Sequence, residues 1–160
     1  MKKELFTIDY TRIPRAEFDD ELRMLEQSAE QAALKAYAPY SRFNVGAALL
    51  MDNGEIVVGS NQENAAYPSG ICAERTAIYY AGAHFPDVGI KKLVLVAITE
   101  GRRVEEISPC GACRQVIMES SMRHHAYPVY MVGVDSAIVL DDCRFLLPFG
   151  FDGKDLPQTS

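Results

Sequence analysis

Residues 91–99, KKLVLVAIT, end in a continuous run of aliphatic and β-branched residues with the length of one strand. A run without alternating polar residues is typical of a strand that is buried on both faces. YPVYMVGV, at residues 127–134, is a second run of this kind. Because both faces of such strands must be covered, the two runs predict an α/β architecture in which helices cover a sheet.

Three further strands are predicted on either side of these runs. Residues 43–61, FNVGAALLMDNGEIVVGSN, hold two short apolar segments separated by Asp52-Asn53-Gly54, which is typical of a β-hairpin. Residues 136–142, SAIVLDD, form a shorter strand candidate.

Three segments have the pattern of helices. Residues 14–39 begin with Pro14, carry acidic residues in their first turns and repeat apolar residues at steps of three and four, which predicts an amphipathic helix packed on the protein's own sheet. Its apolar stripe comprises Phe18, Leu22, Leu25, Ala29, Ala32 and Ala36. The composition of residues 72–83 and 111–122 also favours helix. The order α-β-β-α-β-α-β-β predicts a three-layer α/β/α sandwich around one mixed five-stranded sheet.

Length and charge restrict the class of protein. The chain has 160 residues, and we expect a single domain over residues 1–160. Its formal net charge of -6 disfavours a nucleic-acid partner and favours a small molecule. The sequence shows neither an initial apolar run of signal-peptide length nor a segment that could span a membrane. We therefore expect a cytoplasmic protein without a membrane partner, in which thiols stay reduced.

Three of the four cysteines lie at predicted helix starts. Cys72 begins one predicted helix, and in SPCGACRQV (108–116) Cys110 and Cys113 share one face of the next. Taken alone, a C-x-x-C pair is compatible with a redox pair, half of a disulfide or a metal site. Helix N-termini stabilise thiolates, the form of cysteine that binds metal. A zinc ion held between the two helices by all three cysteines is the leading hypothesis.

Such a zinc site would be open. Three thiolates leave one tetrahedral position for water, as in catalytic zinc sites. Glu74, two residues after Cys72, is placed to reach that water as a general acid/base. From the residues alone, a surface glutamate stays open for Glu74, as does a redox pair for Cys110 and Cys113. Cys143 has neither a spaced partner nor a helix start, which favours a buried structural thiol.

Electrostatics suggests an arginine beside the ligands. Zinc with three thiolates has a net charge of about -1, which weakens its Lewis acidity, and a guanidinium that donates to the sulfurs would restore part of it. Arg75, three residues after Cys72, and Arg114, directly after Cys113, are the candidates, one of which could be an ordinary surface arginine. For His124 and His125 the sequence indicates no chemistry.

Two motifs carry a resemblance to a known family. CAE (72–74) and PCGAC (109–113) match the zinc nucleobase deaminases, in which His- or Cys-x-Glu is followed by Pro-Cys-x-x-Cys. Four segments resemble, in order, those of the small homotetrameric cytidine deaminases: APYSRFNVGAALL (38–50), GSNQENAAYPSGICAERTAI (59–78), ISPCGACRQV (107–116) and FLLPFGF (145–151). Residues 1–15 extend beyond that family's usual start, and residues 148–160 are predicted to form an irregular tail.

The resemblance implies a role for each matching residue. Cys72, Cys110 and Cys113 would hold one zinc ion per chain, and Glu74 would carry protons. The implied substrate-binding residues are Phe43 beside the pyrimidine, Asn61 and Glu63 on the sugar hydroxyls, Ala73, and, supplied by neighbouring subunits of a homotetramer, Tyr67 and Phe151. Phe149 is the alternative to Phe151 as the family's C-terminal aromatic residue.

The implied function is hydrolytic deamination of cytidine and 2′-deoxycytidine to the uridines, a reaction of pyrimidine salvage. Glu74 would pass a proton from zinc-activated water to N3 of the ring and later supply one to the departing amino group. The alternatives are a deaminase of another cytosine-containing nucleoside, such as an aminoacylnucleoside antibiotic, and a non-enzymatic interaction module stapled by zinc. The module needs a fourth protein ligand, for which Cys143 is the spare cysteine. The acidic balance disfavours a polynucleotide deaminase.

Overall fold

The computed structural model describes residues 1–154 and 156. Its helices and strands, in chain order, are β1 (Thr11–Pro14), α1 (Asp20–Ala33), β2 (Phe43–Met51), β3 (Ile56–Ser60), α2 (Ala73–His84), β4 (Ile90–Thr99), β5 (Arg102–Arg103), α3 (Gly111–Arg123), β6 (Val129–Val132) and β7 (Ser136–Leu140). Residues 148–154 contain no helix or strand, and the irregular tail predicted for residues 155 and 157–160 lies outside the described residues. In the described part of the chain, no helix has the length and apolar character that crossing a membrane requires.

One mixed sheet forms the centre of the molecule. Its strand order is β1-β7-β6-β4-β2-β3, with β5 paired to the end of β4. β4 and β6 run parallel, and the other pairs are antiparallel. The predicted sandwich and its five strands are confirmed, but among the described residues the sheet has seven strands, because β1 and the short β5 also join it. Neither shows the alternation of apolar and polar residues by which a half-buried strand is recognised.

Strand β4 contributes side chains to both cores of the sandwich. Leu93 and Leu95 pack in the core beneath α2 and α3, whereas Val94 and Val96 pack in the core beneath α1. Successive side chains of a strand point to opposite faces, so this alternation places helices on both sides of the sheet. The prediction of a strand buried on both faces is confirmed, as is the packing of the apolar stripe of α1 on the sheet.

Helix α1 begins later than predicted. Its N-cap is Asp19, whose carboxylate accepts a hydrogen bond of 2.7 Å from the amide of Leu22. Pro14 instead ends β1, and Arg15–Glu17 form a single 3₁₀ turn. Phe18 packs in the core beneath α1 although it precedes the helix. The helix also ends at Ala33, so Ala36, which is half-buried, lies beyond it. The apolar spacing therefore identified five of the six stripe residues as buried but neither helix boundary.

Helix α2 lies with its first turns directly against β3. A Cβ atom at Gly59 would lie 2.4 Å from the carbonyl oxygen of Ala73 and 2.6 Å from the amide nitrogen of Ala77. Both are backbone atoms of α2, so they cannot move aside without moving the helix. A side chain at position 59 would therefore lift the start of α2, which carries Cys72 and Glu74, away from the sheet.

Gly59→Ala is expected to lower the free energy of unfolding by about 1–3 kcal/mol, because overpacking against backbone forces the helix to shift. Urea unfolding followed by circular dichroism measures the change. Gly111→Ala is the matched control, since among the described atoms beyond its own neighbours a Cβ there meets nothing within 4 Å. Equal stability of the two variants would contradict the described contact between α2 and β3.

Candidate active site

Three cysteine sulfurs meet between the starts of α2 and α3. Cys72 is the N-cap residue of α2, Cys110 is the N-cap residue of α3, and Cys113 lies in the first turn of α3. The Sγ atoms of Cys72 and Cys110 are 3.7 Å apart, and those of Cys110 and Cys113 are 3.5 Å apart. All three sulfurs lie within 4.8 Å of one another. Tetrahedral zinc–thiolate bonds of about 2.3 Å would hold sulfurs ~3.8 Å apart, so the spacing fits a zinc ion.

The clustered thiols influence one another's acidity. The pKa of Cys72 is lowered to about 5, because the Cys113 thiol donates a hydrogen bond to its sulfur and the Arg75 guanidinium lies beside it. The pKa of Cys113 is raised, because that hydrogen bond, burial and nearby negative charge all favour its protonated form. One thiolate forms readily and opposes the next. A divalent cation supplies the charge with which all three sulfurs can ionise together.

Glu74 is buried in the first turn of α2, with 4% of its surface exposed. This burial excludes the alternative of a solvated surface glutamate. Burial also raises the pKa of the Glu74 carboxyl group to about 6, and the negative charge of Cys72 adds to the effect. A pKa close to neutrality suits a group that accepts a proton and returns it. The surroundings of Glu74 therefore support the predicted role of general acid/base.

The two candidate arginines have different partners. Nη2 of Arg75 lies 3.9 Å from Sγ of Cys72, and its buried Nε has no hydrogen-bond partner among the described residues. Arg114 donates instead to the carbonyl oxygen of Pro109 and to Oγ of Ser108, in hydrogen bonds that are each 2.8 Å long. Arg75 is thus placed to donate to a ligand sulfur, whereas Arg114 holds the backbone that leads into Cys110.

An open cleft of about 500 Å³ adjoins the cysteine cluster. Its lining residues are Tyr40, Ser41, Asn61, Gln62, Glu63, Asn64, Tyr67, Gly70, Ile71, Cys72 and Arg75. The structure therefore brings Asn61, Glu63, Tyr67 and Arg75 into one cleft with the predicted ligand Cys72. Tyr40, Ser41, Gln62 and Asn64 are not among the predicted residues, and their positions close to Phe43 and Asn61 in the sequence are the only signal that could have identified them.

Asn61 is tied to the first strand of the hairpin. Its side-chain oxygen accepts a hydrogen bond of 2.7 Å from the amide of Val45, and its side-chain nitrogen donates one of 2.9 Å to the carbonyl oxygen of Phe43. The amide group of Asn61 is therefore fixed in orientation at the wall of the cleft.

Glu63 is held by the turn that precedes β2. One of its carboxylate oxygens accepts hydrogen bonds of 2.9 Å from the amide of Tyr40 and of 3.3 Å from the amide of Ser41. The Ser41 side chain, followed by these two amides, lowers the pKa of the Glu63 carboxyl group. Glu63 therefore stands in the cleft as an ionised acceptor of hydrogen bonds.

Ala73 and Phe43 lie beside the cleft rather than along its lining. Ala73 is the fully buried first residue of α2, between Cys72 and Glu74. Phe43 is the first residue of β2 and is partly exposed, and its carbonyl oxygen is bonded to Asn61. Each is joined to a cleft residue, Ala73 by the chain and Phe43 by a hydrogen bond.

The aromatic residues predicted to act across subunits differ in position. Tyr67 lines the cleft of its own chain, where its ring lies edge-on to Tyr40 at a centroid distance of 6.1 Å. Phe151 lies in the tail, 65% exposed, and its carbonyl oxygen accepts a 2.8 Å hydrogen bond from Gln115. Phe149 is 95% exposed, with its ring centroid 6.0 Å from that of Phe6. Neither tail phenylalanine lines the cleft of its own chain.

The residues without predicted chemistry are structural. The ring of His125 lies 2.7 Å from the Asp52 carboxylate, which links the connector before β6 to the hairpin turn, and His124 is exposed. Cys143 is a buried free thiol, as predicted. Within the part of the chain that the structure describes, the cluster at 72, 110 and 113 is the only group of three or more potential metal ligands. The alternative of a non-enzymatic module held together by zinc required Cys143 as a fourth ligand, and Cys143 does not belong to the cluster.

Comparison with known proteins agrees with this geometry. A family model described as the zinc-binding region of cytidine and deoxycytidylate deaminases matches residues 19–128, a range that contains all three clustered cysteines and Glu74. The chain belongs to this deaminase family. Membership in a family of zinc-dependent enzymes favours a zinc site over a redox pair as the interpretation of the cysteine cluster.

The relatives within the deaminase family match over most of their length. The cytidine deaminase of Sporosarcina psychrophila is 42% identical over 140 residues, which cover 88% of this chain and 98% of the relative. That of Mycobacterium tuberculosis is 43% identical over 140 residues, covering 88% and 96%. A crystal structure of cytidine deaminase from Burkholderia pseudomallei is similar with a TM-score of 0.66 and 37% identity, covering 81% of this chain and 98% of that one.

One zinc ion per chain is expected in protein purified without added metal, because three thiolates at two helix starts form one site. Elemental analysis measures the content. Cys110→Ala is expected to lose most of the zinc, and Cys143→Ala, which removes a thiol outside the cluster, is the matched control and should keep it. Two ions per chain, or full occupancy in Cys110→Ala, would rule out the proposed ligand set.

Proposed function

We propose that this chain catalyses the hydrolytic deamination of cytidine and 2′-deoxycytidine to uridine and 2′-deoxyuridine, with release of ammonia. The observation that carries the proposal is the buried carboxyl group of Glu74 next to three clustered cysteines and a cleft. A proton carrier beside an open metal site is what hydrolysis of the C4–N4 bond requires. The relatives compared above are named cytidine deaminases, which favours cytidine over a cytosine-containing antibiotic.

The metal is proposed to be held by the thiolates of Cys72, Cys110 and Cys113, with Arg75 donating to the sulfur of Cys72. When bound, zinc supplies a Lewis acid that lowers the pKa of a water molecule to about 7. The positive ends of α2 and α3 add to the stability of the thiolates, because all three lie at or within the first turn of a helix. Arg75 offsets the net negative charge of the filled site.

Glu74 is proposed to carry both protons of the attacking water. As the water oxygen bonds to C4 of the ring, the Glu74 carboxylate accepts the first proton and gives it to N3. It then takes the second proton to the amino group, the C4–N4 bond breaks, and ammonia leaves. Glu74 ends as the carboxylate with which it began, and a carboxyl group with a pKa of about 6 can work in both directions near neutral pH.

The nucleoside is proposed to lie along the cleft. Asn61 and Glu63 are proposed to hydrogen-bond the sugar hydroxyls, and the fixed amide and ionised carboxylate described above support that role. Phe43 is proposed to flank the pyrimidine. Ala73, between the ligand Cys72 and Glu74, is proposed to contact the ring edge at which the reaction occurs.

Glu74→Gln is expected to lower cytidine turnover by about 10²-fold or more and to leave the zinc content unchanged, since the amide keeps the shape of the side chain but cannot accept and release a proton. The ultraviolet absorbance of cytidine follows turnover, and elemental analysis follows zinc. Glu119→Gln, the same change at an exposed position of α3, is the control and should stay active. A loss smaller than about tenfold, or zinc lost in proportion to activity, would exclude Glu74 as the proton carrier.

We further propose a cytoplasmic homotetramer, serving pyrimidine salvage, whose sites are completed by Tyr67 and Phe151 of neighbouring subunits. The exposure of Tyr67 and of the tail residues Phe149 and Phe151 supports the assembly. A single chain gains nothing from holding large aromatic side chains in water, whereas a neighbouring subunit would bury them. Phe151 is the residue proposed to close over the base, and Phe149 is the alternative.

Hybrid tetramers test whether Phe151 acts across subunits. Glu74→Gln chains and Phe151→Ala chains are unfolded and refolded together, and cytidine turnover is compared with the sum of the two parents refolded separately. Sites that combine an intact Glu74 with a neighbour's intact Phe151 should raise turnover above that sum, because loss of an aromatic stack costs about 1–3 kcal/mol. If mass spectrometry detects mixed tetramers and turnover shows no gain, the shared site is wrong.

A further inference from the structure

The residues ahead of the family match form a strap along the edge of the sheet. We define the strap as residues 6–15. Its strand β1 pairs antiparallel with β7, from Thr11 opposite Val139 to Pro14 opposite Ser136. The strap is anchored at its end by Arg15, which donates through its amide to Asp135 and through its guanidinium to Val134, each bond being 2.9 Å.

The strap reaches the loop that delivers the ligand Cys110. This ligand loop, residues 104–109, contains no helix or strand and runs directly into Cys110. Nη2 of Arg12 lies 2.7 Å from the carboxylate of Glu106, and Nη1 of Arg12 lies 3.1 Å from Oγ of Ser136. The Arg12 side chain therefore joins the middle of the ligand loop to the start of β7.

The ligand loop is also pressed against the turn between β6 and β7. A Cβ atom at Gly133 would lie 1.8 Å from the carbonyl oxygen of Glu105, so the loop backbone occupies the space where a side chain would stand. The contact places Glu105 against the same end of β7 to which Arg12 is bonded. The loop is thus held between the β6–β7 turn on one side and the strap on the other.

A second contact joins the strap to the tail. The ring centroid of Phe6 lies 6.4 Å from that of Phe145, which belongs to the 3₁₀ turn after β7, and 6.0 Å from that of Phe149. Aromatic pairs at such distances attract one another. The strap therefore holds both the ligand loop and the segment that carries Phe149.

The first turn of α3 connects these two segments. Arg114 donates to Ser108 and Pro109 of the ligand loop and to the carbonyl oxygen of Leu146. Gln115 donates to the carbonyl oxygen of Phe151. Both residues directly follow Cys113, so the ligand loop and the tail are each bonded to the first turns of α3, next to two of the three cysteines.

We propose that Arg12 is a positioning residue which, through Glu106 and with help from Phe6, holds the ligand loop closed on α3 and so slows the release of zinc from Cys110 and Cys113. The inference rests on the proposed function only for the identity of the ligands. An exposed ion pair contributes little to the stability of a whole domain, but it can control the local opening of a loop. Here Arg12 holds the middle of the ligand loop, whereas Arg114 holds its end at Ser108 and Pro109.

Zinc release from the full-length, zinc-loaded protein into an excess of a colorimetric chelator is the test. Arg12→Ala is expected to release zinc about two- to fivefold faster, which corresponds to the loss of one exposed ion pair. The release rate of Arg12→Lys should stay within about twofold of that of the unmodified protein, because lysine keeps the positive charge opposite Glu106. A small increase is expected because lysine lacks the forked geometry of arginine. Phe6→Ala combined with Arg12→Ala should release zinc about tenfold faster.

The controls separate this local effect from a general loss of stability. Lys91→Ala removes an exposed ion pair with Glu21, of 3.1 Å, at the opposite end of β4 from β5, and should leave the release rate unchanged. Glu106→Gln should release zinc as fast as Arg12→Ala. The Arg12→Ala/Glu106→Gln protein should be no faster than either single variant, because both substitutions remove the same contact.

Two results would overturn the proposal. One is an unchanged release rate in both Arg12→Ala and the Phe6→Ala/Arg12→Ala protein, and the other is an equal acceleration in Lys91→Ala. The thermal midpoint of each metal-free variant shows whether the whole domain is weakened. Because zinc release is followed without any nucleoside, the result is independent of whether cytidine is the substrate.

Discussion

The mutual repulsion of three thiolates is the constraint on which the rest of the structure depends. Sulfurs 3.5 and 3.7 Å apart cannot all be ionised unless positive charge lies among them. Part of this positive charge comes from the N-termini of α2 and α3, which both lie at the sulfurs. α3 connects β4 to the parallel strand β6, a connection that needs a crossover, and it covers the same core as α2. The topology thus brings both helix N-termini to the sulfurs.

Small residues set how closely the site elements approach the sheet. Gly59 lets the backbone of α2 lie on β3, and Gly133 lets the ligand loop lie on the β6–β7 turn. Ala73 is fully buried between Cys72 and Glu74, so the first turn of α2 enters the core instead of standing above it. Gly59 and Ala73 thus let the first turn of α2 lie against the sheet, where burial raises the pKa of the Glu74 carboxyl group.

The parts of the fold and site that sequence could predict are those that depend on local spacing. The cysteines at helix starts follow from a three-residue step and from the composition of α2 and α3, and the buried runs of β4 and β6 follow from the absence of polar alternation. The strands β1 and β5 could not be predicted in this way, because exposed edge strands need no apolar pattern. The start of α1 was misplaced because Pro14 and Asp19 both resemble a helix start, and only the carboxylate bond to Leu22 decides between them.

Contacts between distant residues account for what the sequence could not show. Glu63 is held by amides more than twenty positions earlier, and Arg12 meets Glu106 across the edge of the sheet. Arg75 and Arg114 both lie within three residues of a clustered cysteine, yet only Arg75 donates to a sulfur. A zinc ion held by three thiolates would carry about -1, and the Arg75 guanidinium beside Cys72 would offset that charge and reduce its repulsion of the buried Glu74 carboxylate. Burial has the largest effect on the Glu74 carboxyl group and raises its pKa, whereas Arg75 lowers that pKa and so favours the ionised form beside the proposed ligands.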